Sequence, residues 1–183
     1  RVEERLDEVR KKIDEVLKRL RDTTKELEDE NEESLRKLKK EVDEVRKKIE
    51  EVLKRLEDAN APKEVLDELR RIVEDIKRRL EEVLEELKRI IDRSKEELKK
   101  VLRENEDSAR RLKERLKEVE RIKDEEKLEK VDREIEEILR RNKRTNEKVA
   151  EESRKINREA EERLRRVIEE LEKILKEIED RLK

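Results

Sequence analysis

A face pattern that returns every 18 residues constrains this chain more than any other feature. Near the start, apolar residues stand at Val2, Leu6, Val9, Ile13, Val16, Leu17 and Leu20, and they return at Val42, Val45, Ile49, Val52, Leu53 and Leu56. The stretch between keeps the spacing through Thr24, Leu27, Asn31, Ser34, Leu35 and Leu38. Positions 2, 20 and 38, or 13, 31 and 49, are 18 apart, which is five turns of an unstrained α-helix at about 3.6 residues per turn. A strict seven-residue repeat would impose a left-handed supercoil. The pattern therefore predicts straight or weakly supercoiled helices.

The middle block changes chemistry without changing spacing. Thr24 stands where the outer blocks have Leu6 and Val42, Asn31 where they have Ile13 and Ile49, and Ser34 where they have Val16 and Val52. An unpaired buried amide or hydroxyl costs on the order of 1–3 kcal/mol. These groups must find partners across the interior, or the stretch must be wet.

The same rhythm extends over three long segments. Helix one is expected over about residues 1–59 and ends at Asp58-Ala59-Asn60-Ala61-Pro62, where Asn60 tolerates the left-handed conformation that closes a helix. Helix two runs over about 62–122, with Pro62 suited to its first turn. Its seam, Leu69 to Leu84, recurs from Leu87 to Leu102 and again from Asn105 to Val119, so that Ser94, Asn105 and Ser108 occupy apolar positions. The seam skips six residues from Ile122 to Leu128, which places a short turn at Lys123-Asp124, with Asp124 as N-cap. Helix three covers about 125–183, and its seam carries Asn142, Asn146, Ser153 and Asn157.

Three helices of similar length joined by short turns must run up, down, up. At about 1.5 Å per residue each is roughly 90 Å long. Helix three then repeats helix one at an offset of 122, which sets Asn146 level with Thr24, Ser153 with Asn31 and Ile156 with Ser34. Reflection of helix two brings Ser94 near Asn31 and Ser153, and Asn105 near Leu20 and Asn142. The polar positions thus gather at shared heights. The expected network comprises Thr24, Asn31, Ser34, Ser94, Asn105, Ser108, Asn142, Asn146, Ser153 and Asn157, with Thr23 and Thr145 at its edge and Ala109, Ala150 and Ala160 making room. A narrow two-position seam, of the coiled-coil kind, suits a three-helix core. The expected fold is all-α, a straight (weakly supercoiled) antiparallel up-down-up three-helix bundle forming a single domain over 1–183.

Composition narrows the functions open to such a bundle. Charged residues make up 62% and hydrophobic residues 30%, but the sustained register indicates helices rather than disorder. His, Cys, Met, Gly and all aromatics are absent. Ser34, Ser94, Ser108 and Ser153 have no imidazole to activate them, and the Glu clusters read as solvated faces. Inward Glu paired with Glu-x-x-His, the carboxylate metal site of helical bundles, has no counterpart here. No catalytic residue, metal or cofactor is expected. Lys+Arg is 56 against Asp+Glu 58, and this near-balance gives no electrostatic footprint for nucleic acid. No apolar run exceeds two residues, so no membrane span is expected. The chain starts without Met, which leaves room for residues before Arg1, and nothing indicates a cellular location.

The segments Asp7-EVRKKIDEVLKRL-Leu20 and Asp43-EVRKKIEEVLKRL-Leu56 differ only at Asp14 against Glu50. With the Asn/Ser/Thr substitutions and the Glu/Lys/Arg surface, the whole chain resembles de novo designed, parametrically generated helical bundles that carry buried hydrogen-bond networks. The resemblance is one of style rather than motif. It implies a structural scaffold without a natural substrate, monomeric and needing no partner. The alternative is an interaction module in which a partner helix or chain completes the core. A natural spectrin-like spacer fits less well, because aromatics and glycine are wholly missing.

Overall fold

A computed structural model describes residues 2–182 of the chain. Arg1, Lys183 and the side chains of Val2 and Ile122 lie outside the described residues, and with them the seam positions of Val2 and Ile122 and the outermost expected helix ends. The protein is an all-α three-helix bundle built from α1 (Val2–Asp58), α2 (Lys63–Ile122) and α3 (Glu125–Arg181). The 18-residue rhythm is visible in burial. Leu20, Leu38 and Leu56 are buried on α1, Leu80, Leu98 and Leu116 on α2, and Ile135, Ser153 and Leu171 on α3.

The helices assemble into two compact units, each containing a segment of all three. Unit 1 comprises Arg1–Glu30 and Ser94–Arg154; unit 2 comprises Asn31–Arg93 and Lys155–Lys183. Each has its own apolar core. That of unit 1 includes Leu6, Ile13, Leu20, Leu98, Leu116 and Ile135. That of unit 2 includes Leu38, Ile49, Leu69, Leu87, Leu164 and Leu171.

Ion pairs reveal the register inside each unit. In unit 1 the residue numbers of Asp14 and Lys113 add to 127, as do those of Glu28 and Lys99. In unit 2 so do those of Arg46 and Glu81. A constant sum is the signature of antiparallel neighbours, here α1 and α2. Between α2 and α3 the sum is 249, at Arg115–Glu134 in unit 1 and at Arg79–Glu170 and Glu86–Arg163 in unit 2. Between α1 and α3 it is a difference that recurs, 124, for Arg5–Glu129 and Glu30–Arg154 in unit 1 and for Lys48–Glu172 and Arg55–Glu179 in unit 2, with single pairs one turn to either side. Those two helices are parallel, so the order is up, down, up. Exposed pairs of this kind each contribute only about 0–1 kcal/mol. Burial of the seam, at roughly 1.5–3 kcal/mol per large side chain, holds each unit's three helix segments together.

The two turns are made differently from the sequence expectation. Pro62 is not in the first turn of α2. It is the N-cap, and its carbonyl accepts from the amides of Val65 and Leu66, both at 3.1 Å. Asn60 does not take the left-handed conformation either: among the described residues only Lys123 has a positive φ, 51°. Loop length explains the exchange. Residues 59–62 give α1 and α2 enough chain to reverse with ordinary dihedrals, whereas only Lys123 and Asp124 separate α2 from α3. With two residues, one must turn left-handed. Lys123 then donates its amide to Val119 at 2.9 Å, and the Asp124 carboxylate caps α3 by accepting the Glu126 amide at 3.1 Å.

A side chain with Cβ is strained at φ 51°. Lys123→Gly should therefore raise the free energy of unfolding by about 0.5–1 kcal/mol, the relief being partly offset by the greater freedom of glycine in the unfolded chain. Urea denaturation followed by circular dichroism measures it. A loss of stability would mean that the lysine side chain contributes more to the turn than its backbone strain removes.

Candidate functional site

The polar residues of the seam are the features of the interior that an ordinary apolar core would not need. In unit 2, Asn31 and Asn157 are buried, at 1% and 7% exposure. Asn157 Nδ2 donates to Asn31 Oδ1 at 2.9 Å across the α1–α3 interface. One turn further along both helices, the buried Ser34 hydroxyl donates to Glu161 Oε1 at 3.0 Å. Ser34 follows Asn31 by three residues and Glu161 follows Asn157 by four, so each pair shares a helix face. The two bonds join α1 to α3 in one register.

Glu161 corrects the reading of every glutamate as a solvated surface group. It is half-buried, next to the small Ala160, and supplies a charged acceptor for a buried hydroxyl. The signal in the sequence was slight: a carboxylate one turn beyond a seam asparagine and beside a small residue that leaves space.

Unit 1 contains more of the expected polar positions. Asn142 and Ser153 are buried, and Thr24, Ser94, Asn105, Ser108 and Asn146 are half-buried. The Thr24 hydroxyl donates to the Leu20 carbonyl at 2.7 Å, and the Ser108 hydroxyl to the Glu104 carbonyl at 3.1 Å. Both bonds stay within their own helix, four residues back, because that carbonyl is always within reach of a helical Ser or Thr. Asn105 Nδ2, Asn142 Nδ2 and Asn146 Oδ1 are buried without a hydrogen-bond partner. Leu20, buried, lines an α1–α2 groove with Thr24, Leu102 and Glu106. A second groove of about 240 Å³, between α1 and α3, is lined by Val16, Thr23, Leu139, Asn142 and Asn146. In that second groove α1 presents both the apolar Val16 and the hydroxyl-bearing Thr23 to Asn142 and Asn146.

Besides Glu161, ion pairs stand on the surface of both units. In unit 1, Arg154 reaches Glu30 at 3.1 Å and Glu26 at 3.4 Å. The hydrogen bond from Arg154 to Glu30, with the charge of that carboxylate, raises the guanidinium pKa further. In unit 2, Arg46 binds both carboxylate oxygens of Glu81 at 2.6 Å, which lowers the Glu81 pKa below its ordinary value. The shifts of Arg154 and Glu81 carry both groups further from neutrality.

Among the described residues no group of His, Cys, Asp and Glu is placed to hold a metal ion. No described helix is long and apolar enough to cross a membrane. The described large apolar side chains that stand exposed are Val65 and Ile90. In comparisons with known proteins, no family model, no curated protein and no solved structure matches the chain.

Proposed function

We propose that the chain is a designed structural scaffold whose buried polar residues specify how its helices pair. The Asn157–Asn31 bond carries this reading. An amide pair inside an apolar core contributes little net stability, but it makes misaligned pairings costly, because each would bury an amide without its partner. A single buried Asn sets register and oligomeric state in coiled coils by the same logic. The near-copied segments of α1 make such a device useful, since apolar residues repeating every five turns fit almost equally well when slid by 18 residues. Sliding α3 by that step would set Asn31 against Leu139 or Leu175 in place of Asn157, so the polar block disfavours that alignment.

The scaffold is monomeric in this reading, with no cofactor and no required partner. Replacing Asn31, Asn146 and Ser153 together with leucine should preserve helicity and add oligomers or alternative assemblies, seen by light scattering on a sizing column and by native mass spectrometry. A variant that stays strictly monomeric with an unchanged amide spectrum would remove the specificity role. A parent chain that is itself dimeric at working concentration would favour the interaction-module alternative.

A further inference from the structure

We infer that unit 1 is an opening unit, which unfolds locally while unit 2 remains closed. The two units are nearly equal in length and each contains one inter-helix turn. Their interiors do differ. The polar contacts of unit 2 run from helix to helix: Asn157 to Asn31 and Ser34 to Glu161. In unit 1, two amide donors, on Asn105 and Asn142, and one amide acceptor, on Asn146, are buried with no partner. On α1, Val16 and Thr23 line the groove that Asn142 and Asn146 share.

Opening exposes these three groups to water, which satisfies them at once, so their free energy favours the open state of unit 1. The groove along Val16, Leu139, Asn142 and Asn146 gives solvent a short path toward two of them. Local opening draws on segments whose interactions are least well satisfied. The device needs no ligand and no titrating group. It is a permanent difference in readiness to open, written into the asparagines of α2 and α3.

Native-state hydrogen exchange on the full chain tests it, read at mid-unit amides away from turns and ends: Leu98, Leu112 and Ile135 in unit 1, and Val45, Leu80 and Leu164 in unit 2. Protection in unit 1 should be lower by about tenfold or more. The triple variant Asn105→Leu, Asn142→Leu, Asn146→Leu should raise unit 1 protection at least about tenfold and leave unit 2 unchanged. Equal protection in the two units of the parent chain would overturn the inference, as would faster exchange in unit 2. If the variant folds but unit 1 exchanges as before, the unpaired amides are not the cause and the inference also fails. Single Asn142→Leu serves as the second variant should the triple one misassemble, with the same direction expected at Ile135.

Discussion

Leu87→Ala should lower the free energy of unfolding by about 2–5 kcal/mol, the range for truncating a fully buried leucine whose surroundings collapse only in part. Leu87 has no exposed surface and belongs to the core of unit 2 with Leu38, Ile91 and Leu164. The site is poorly able to close over a cavity. On α3, Arg163 reaches Glu86, the neighbour of Leu87, so the α3 residue one turn earlier, Ala160, stands close to that level. Ala160 is already small and buried, and it has no longer side chain to swing into the space. Three long helices fixed by ion pairs on both sides of the level also resist a local approach of their backbones. Urea denaturation gives the number, read in the last transition to unfold. Ile90→Ala is the internal control: Ile90 is 38% exposed, and its truncation should cost well under half as much. A loss at Leu87 of no more than about 1 kcal/mol would show that the core of unit 2 repacks freely, contrary to its burial.

The second large effect is a pair of losses that cancel when combined. Asn31→Leu leaves Asn157 without the oxygen it donates to, and Asn157→Leu takes away the donor that Asn31 Oδ1 accepts from. Each single variant should cost about 1–3 kcal/mol, because a buried hydrogen bond is lost where water cannot replace it. The double variant substitutes apolar groups of similar volume on both sides and should recover most of the loss. The coupling between the two positions is what the cycle measures. Additive losses would show that the two asparagines act independently of the 2.9 Å bond between them. A double variant that recovers stability but gains assemblies would separate the two contributions, since stability and choice of partner need not follow the same residues.

The fold was legible because burial in a long helix depends on angle alone. Once Leu20, Leu38 and Leu56 share an angle every five turns, the face, the helix count and the up-down-up order follow from a few lengths. The Asp124 cap was equally open to reading, because a carboxylate before a helix has a specific set of amides to receive. The left-handed residue was not, since it falls on a lysine rather than on Asn60; what decides it is how many residues must reverse the chain, and lysine has no preference to announce. The polar positions were visible as departures from an apolar rhythm, but their partners were not. Thr24 and Ser108 each had two choices, across the bundle or back to their own carbonyl, and the local one needs no neighbour. Glu161 was hidden among many similar glutamates, and only the space beside Ala160 sets it apart. The division into two units leaves no trace in the rhythm, which runs unbroken past Glu30, Arg93 and Arg154.

The fixed sums of 127 and 249 and the recurring difference of 124 carry one more consequence. Removing a single residue from one helix would turn every later side chain on it by about 100° and break each pairing beyond the cut. Removing or inserting 18 residues at matching levels of all three helices would turn nothing. Residues 38–55, 72–89 and 160–177 form one such set, and excising it would bring Leu56, Ile90 and Ile178 to the places now held by Leu38, Ile72 and Ala160. The chain is thus quantised in length: its unit of growth is a slab five turns thick, and lengths between rotate the seams away from one another.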